Sequence, residues 1–540
     1  MAARLHARLQ RCVASVRGAG ATRHEAGDPA VAGEAPRDAV PGDRSPLVTA
    51  PTPVRVRYAP SPTGDPHVGN IRMAIWSWLY ARHTGGQFLV RIEDTDQTRL
   101  IPGAVERILE SLNWLGLDWD EGPDIGGPYA PYFQSQRLEG YREAADRLVA
   151  QGNAYPCFCS SEELDALRSR QQAEKRPTGY EGKCRTIPPE EAARRAASGE
   201  PHVIRFATPR EGSTTAHDLL RGAITVENAT LDDFVILKSD GFPTYHLAHP
   251  VDDFAMQITH VTRGEEWIPS LPRHVLLFDA LGYPRPVFVH GPVILAPGGG
   301  KLSKRHGATS VLEYADAGYL PDALLNFLCI TGWGHGDETV FSRERLIEIF
   351  DIADVSLAPA TFDTEKLNWL NGVYLRQMPL RELSEAIARR LERELPGDVP
   401  RPLDRVLVEA VTPLIQERIQ TLAEVTPLVD FFWTGSVETP PAGEFLTKKW
   451  AGQGEAAGAA LDAVAGAIEA LDPFEAAPME ARLRALADEI GAKAGDLFTL
   501  VRLAVTGRKV SPPLFESMEI IGQEACAERL RSAAGVVRAG

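Results

Sequence analysis

Two short runs hold residue types that could act on a phosphate. In "YAPSPTGDPHVGN", Tyr58 to Asn70, three prolines and two glycines stiffen a turn that presents His67 and Gly69. At the amino end of a helix, free N–H groups and the macrodipole favour an anion, so a phosphate could approach the bare Gly69 backbone while the imidazole donates a hydrogen bond. The second run, "GGGKLSKRHG" from Gly298 to Gly307, sets three glycines ahead of Lys301, Ser303, Lys304 and Arg305. Such a loop can fold two ammonium groups over a polyphosphate. Each run also has a plainer use: His67 as a simple helix cap, the lysines as a solvated basic loop. Together they point to nucleotide chemistry, provided the fold brings them to one place.

A parallel sheet would do so. "VRVRYA" (54–59) alternates apolar and charged residues, which predicts a strand with one covered face. Ile71, Ala74, Ile75, Trp78 and Leu79 follow at helical spacing, and "GGQFLVRIEDTD" (85–96) supplies a second strand, completing a βαβ unit. Further on, "FPTYHLAH" (242–249), "MQITHVTRGEEW" (256–267) and "PVFVHGPVIL" (286–295) read as strands and their ends, with helical "IPSLPRHVLLFDALG" (268–282) among them. As the second half of a doubly wound sheet they would deliver the lysine loop to the edge where the first turn lies.

The rest of the chain narrows the class. At 540 residues it exceeds a single core and predicts several domains. Hydrophobic content of 44% without a bilayer-length apolar run argues against a membrane protein. A net charge of −16 excludes a uniformly basic, histone-like chain but leaves local basic stripes free to hold nucleic acid. Six cysteines, with Cys12, Cys329 and Cys526 scattered, form no disulfide framework and predict a reducing compartment, read as cytoplasm. Residues 1–52 start with Arg4, Arg8, Arg11, Arg17 and Arg23 before the first acid, Glu25, and predict a disordered tail; an organellar transit peptide is the alternative.

In identity, order and spacing, "PSPTGDPHVGN", "RIEDTD", "PTYHLA", "TRGEEW" and "KLSKR" resemble the signatures of bacterial-type glutamyl-tRNA synthetases, which are class I aminoacyl-tRNA synthetases. The likeness runs from about residue 54 nearly to the end and includes "LNWLNGVYLR" near 376. It implies a Rossmann-type α/β parallel-sheet catalytic domain over 53–133 and 245–305, an inserted α/β acceptor-binding domain over 134–244, a stem-contact domain over 306–375 and an all-α anticodon-binding domain over 376–540. Helical stripes at Leu461, Val464, Ile468 and Leu471, and at Leu483, Leu486 and Ile490 before Gly491, independently make the last region helical.

The resemblance also implies an activity: ATP-dependent coupling of L-glutamate to tRNA(Glu) through glutamyl-adenylate, with Mg²⁺ beside the nucleotide; nothing in the sequence demands more than a monomer. It gives catalytic roles to His67, Lys301 and Lys304, and ATP contacts to Gly69, Ser303, Lys304, Glu266 and Trp267. Arg57 and Tyr245 would face the side-chain carboxylate of glutamate, Arg263 the α-carboxylate and Glu93 the amino group, with Ala59 and Ser61 as wall. Arg418 would read an anticodon base. The chain departs from the pattern at Asn70, in place of a second histidine, and at His249, where many relatives carry asparagine; His249 is expected to line the glutamate pocket. Cys157, Cys159 and Cys184 resemble three ligands of a zinc knuckle, but Thr186 stands where a fourth may sit, leaving Tyr180 as substitute; a metal-free relic is expected. Two other readings remain at this stage, a catalytically silent tRNA-binding paralogue and a small-molecule nucleotidyltransferase.

Overall fold

A computed structural model describes residues 53–300, 302, 309–434 and 437–540. The predicted tail at 1–52, and Lys301, Ser303 and Lys304, lie outside the described residues. Two compact units emerge, one of residues 53–316 with 321–367, the other of 317–320 with 368–540.

In the first unit, β1 (Arg55–Tyr58) and β2 (Gln87–Val90) pair in parallel across the helix Val68–Thr84, giving the expected βαβ start. The alternation in β1 does not mark a solvent face, because all four residues are buried. Arg55 lies 2.8 Å from Glu121 Oε1 and Arg57 lies 3.3 Å from Asp253, so paired guanidiniums occupy positions that period alone assigns to water. The second strand is shorter than predicted, but its continuation stays tied to the first turn. Arg91 N–H donates to Tyr58 O (3.0 Å) and Glu93 N–H to Pro60 O (2.9 Å).

Next along the chain, β3 (Ala154–Cys157), β4 (Val203–Phe206) and β7 (Val235–Leu237) form an antiparallel sheet in the order β3-β4-β7. Between β4 and β7 lies a hairpin, β5 (Ser213–Asp218) and β6 (Gly222–Glu227). It joins β8 (His260–Gly264) and β9 (Val287–Gly291) in one sheet of order β6-β5-β9-β8, so part of the 134–244 stretch extends the sheet of the β8–β9 pair. β8 and β9 run parallel around the helix Leu271–Leu281, as read from sequence. Thr259 N–H donates to Arg55 O (2.9 Å), which sets β8 beside β1 and joins the two halves.

One predicted strand is a helix. "FPTYHLAH" opens the helix Tyr245–Ala255 after Thr244, with Pro250 inside it. Tyr245, His249 and Asp253, four residues apart, therefore share one face. In the second unit the predicted stripes pack as expected. Leu461, Val464, Ile468, Leu483 and Leu486 enter one core, and Gly491 ends its helix at a φ of +64°.

Candidate active site

His67 is the N-cap of the helix Val68–Thr84, and its Nδ1 accepts from Gly69 N–H at 3.1 Å. Neutral imidazole then carries its proton on Nε2. The Gly69 amide is thereby used, so this glycine offers space rather than a donor. A Cβ built on it would meet only the His67 ring, at 3.4 Å and beyond. The chain that follows the lysine run returns to the same turn: Val68 N–H donates to Thr309 O (2.9 Å), and Ser310 bridges to His67. On the near side, Gly298, Gly299 and Gly300 all adopt left-handed φ, from +79° to +90°, and Ala296 N–H closes the turn onto Gly300 O. The chain just after the second run is thus hydrogen-bonded to the turn that holds His67.

A cleft of about 840 Å³ opens beside this turn. His67, Arg57, Ala59, Ser61, Glu93, Tyr245, Arg263, Glu266 and Trp267 line it, and Lys238, which sequence reading passed over, lines it as well. Arg57 sets its Nε 3.3 Å from both oxygens of Asp253. Arg263 donates to the Tyr245 hydroxyl (2.6 Å) and approaches His249 Nε2 at 2.5 Å. Glu93 accepts from Arg91 at 3.1 Å. Burial raises the Glu93 carboxyl above its ordinary range, with Arg91 and Arg57 opposing. Burial likewise pushes the Tyr245 phenol up to about 12, against the pull of Arg263. Trp267 leans on Tyr245 with ring centroids 4.5 Å apart.

His249 does not line the cleft. It is fully buried, stacked on Tyr245 at 5.6 Å and pinned between Arg263 and Asp253, whose Oδ2 is 2.8 Å from its Nδ1. Burial, with Arg263 and Arg57 adding to it against Asp253, pushes its pKa down to about 3, which keeps the ring neutral at neutral pH. The sequence reading also missed Asp253 and Arg91. A helical reading of 245–255 would have found Asp253, since its spacing from Tyr245 and His249 puts all three on one face.

Elsewhere in this unit, the Sγ atoms of Cys157, Cys159 and Cys184 lie within 4.8 Å of one another. Tyr180 OH is 3.4 Å from Cys157 Sγ and 3.9 Å from Cys159 Sγ, while Thr186 turns to Lys183 O. Burial raises the Cys157 thiol, but hydrogen bonds from Tyr180, the Cys159 backbone and Arg205 prevail and bring it below its ordinary value. Three convergent thiols and a phenol are a donor set that suits tetrahedral zinc. In the second unit, Arg418 is exposed on the turn after the helix Arg405–Ile415. Burial first, then the charge of Arg418, lowers the pKa of Arg502.

Comparison with known proteins agrees with this geometry. Residues 53–369 match the catalytic domain of the class I tRNA synthetases (E and Q), and residues 382–534 match an anticodon-binding domain. The parallel sheet and its cleft are therefore those of a class I aminoacyl-tRNA synthetase. A glutamate–tRNA ligase of Dehalococcoides mccartyi is 52% identical over 484 residues, covering 89% of this chain and 97% of its own. One of Moorella thermoacetica is 44% identical and covers 90% and 99%. A crystal structure of a glutamate tRNA ligase from Elizabethkingia meningosepticum, in complex with its amino acid, superposes with a TM-score of 0.80 at 34% identity, covering 90% of this chain and all of that one. The chain belongs to the glutamate–tRNA ligase family.

Proposed function

We propose that this chain activates L-glutamate with ATP and transfers it to the 3′-terminal adenosine of tRNA(Glu). The observation that carries the substrate is the charge balance of the cleft floor. Buried Arg57 and Arg91 pair with the carboxylates of Asp253 and Glu93, neighbouring Asp252 is matched by Arg137 at 2.6 Å, and buried Arg263 is held by two neutral groups, the Tyr245 hydroxyl and His249. One cationic charge is left over. Glutamate, with two carboxylates and one ammonium, brings the single negative charge that closes the balance, whereas glutamine brings none. An arginine fork holds a carboxylate through two charge-assisted hydrogen bonds, and a neutral amide leaves that charge desolvated and poorly matched.

No protein nucleophile is required. The substrate carboxylate attacks the α-phosphorus of ATP, pyrophosphate leaves, and the ribose hydroxyl of tRNA then displaces AMP from the mixed anhydride. The side chains hold the reactants in line and stabilise charge spreading over phosphate oxygens. His67, with Nδ1 committed to Gly69, offers its Nε2 proton to a phosphate. Lys301 and Lys304 supply the matching ammonium groups from the loop that ends at Thr309. Mg²⁺ accompanies the nucleotide; Glu266 and Asp96, exposed carboxylates of the cleft, are hard oxygen donors of the kind it takes. The free cysteines among the described residues fit a reducing compartment, which we read as cytoplasm.

Aminoacylation of purified tRNA(Glu) and tRNA(Gln), each offered labelled glutamate and glutamine, tests this. Glutamyl-tRNA(Glu) alone is expected; glutaminyl product on either tRNA would defeat the charge argument. We further read the cysteine cluster as a structural zinc site completed by Tyr180, in place of the relic expected from sequence. Metal analysis after chelator washing should find one zinc per chain, lost in Cys159→Ser. Substoichiometric zinc in the unaltered protein would return the cluster to a relic.

A further inference from the structure

Asp253 is 1% exposed on its side chain and lies beneath the cleft. Its Oδ1 is 2.7 Å from Arg91 Nη1, both oxygens are 3.3 Å from Arg57 Nε, and Oδ2 is 2.8 Å from His249 Nδ1. Each of these three neighbours reaches the cleft or a group that does. Arg57 lines it, Arg91 passes a hydrogen bond to Glu93, and His249 holds Arg263, which in turn holds Tyr245. One buried carboxylate therefore stands behind every polar group that the glutamate reading assigns to the ligand's charges.

We propose that Asp253 and His249 are positioning residues of the glutamate pocket: the carboxylate fixes Arg57 and Arg91 directly, and the imidazole carries its orientation on to Arg263. The inference rests on the glutamate reading above. The chemistry of the middle link supports it. A guanidinium has only donors, so the atom that faces Arg263 must accept, and neutral imidazole has one accepting nitrogen. With the Asp253 carboxylate 2.8 Å from Nδ1, the ring proton is favoured on that nitrogen, which leaves Nε2 to accept from Arg263. A protonated ring would turn a second donor toward Arg263. Burial and the flanking guanidiniums of Arg263 and Arg57 oppose that state, and the edge of His274, with its centroid 4.8 Å away, closes the remaining side. Asp253 itself is held well below the usual carboxylate range, where burial is outweighed by Arg57, His249 and Arg91.

The test uses the full chain in glutamate-dependent ATP–pyrophosphate exchange with tRNA(Glu) present, comparing His249→Leu, His249→Gln and Asp253→Asn. Leucine keeps volume but accepts nothing from Arg263. It should raise the KM for glutamate about tenfold and leave the KM for ATP within twofold, since a lost hydrogen bond to a charged group is worth roughly that factor or more. Glutamine offers an amide oxygen to Arg263 and an amide N–H to Asp253, and should recover most of the loss. Asp253→Asn should raise the glutamate KM further, again sparing ATP. If it does not fold, the leucine and glutamine pair decides. Unchanged glutamate KM in His249→Leu, an equal rise for ATP, or no recovery with glutamine would overturn the positioning roles. Exchange by the unaltered protein that needs no glutamate would overturn the pocket reading itself, a separate result.

Discussion

At the scale of single residues, histidines kept neutral in the fold, His249 fully buried and His246 and His260 partly so, give it a measurable acid sensitivity. His246, His249 and His260 are pushed from 6.5 to about 4, 3 and 4, in each case first by burial. Below pH 6.5 the unfolded chain takes up protons that these rings refuse until the pH nears their folded values. Their contribution to stability is thus full above pH 6.5 and is lost as the pH falls toward 4. Each ring costs about 1.4 kcal/mol per pH unit across that window. The urea midpoint should therefore drop between pH 7.5 and pH 5, and His249→Leu should flatten the slope by about one proton. Parallel profiles for the two proteins would show that His249 is protonated in the fold. Residue types told the chemistry of the site well: arginines, a glutamate and a histidine in short runs spoke of carboxylates and phosphates. Their partners were not legible, because Asp253 and Glu121 lie far along the chain from the arginines they neutralise, and no local spacing encodes such a pair.

At the scale of elements, the parallel strands were readable because their β-branched and aromatic runs sit between glycine and proline breaks. The helix Tyr245–Ala255 was not, since Pro250 in so short an apolar run suggests a boundary rather than a helix interior. What makes the elements one site is their contact. Gly291 ends β9, the strand that leads toward the lysine loop, and a Cβ there would stand 2.7 Å from the Trp76 ring on the helix that His67 caps. Trp76 has little freedom to give way: it is fully buried, its indole N–H donates to Cys329 O (3.2 Å), and Arg72 stacks on its face at 4.5 Å. Gly291→Ala should overpack this junction by about 1–3 kcal/mol and lower the thermal midpoint. It should also slow glutamate activation, because on the function proposed above the strand and the helix lead to the two runs that would hold the phosphates. A midpoint equal to that of the unaltered chain would mean that the ring moves aside.

At the scale of the whole molecule, the shift from mixed α/β patterning to alanine- and leucine-rich helical stripes announced a second unit, and the unit has its own core. Sequence could not show which of its surface charges act on a ligand. Arg418 has an electrostatic reason to do so. Arg502 is half-buried, donates to Pro512 O at 2.9 Å, and has its pKa lowered by burial and then by the charge of Arg418, with Glu516 opposing, so the two like charges repel. An anion or an electron-rich base edge placed against them relieves that repulsion, which a water-exposed lone arginine would not offer. Arg418→Ala should raise the KM for tRNA(Glu) about tenfold, the equivalent of roughly 1.4 kcal/mol, and narrow the preference over tRNA(Gln). The KM for ATP should stay unchanged, since the proposed ATP site lies in the other compact unit. Aminoacylation kinetics with both tRNAs decide the matter: unaltered selectivity would make Arg418 an ordinary surface charge, and a uniform rise for both tRNAs would make it a phosphate contact that does not read a base.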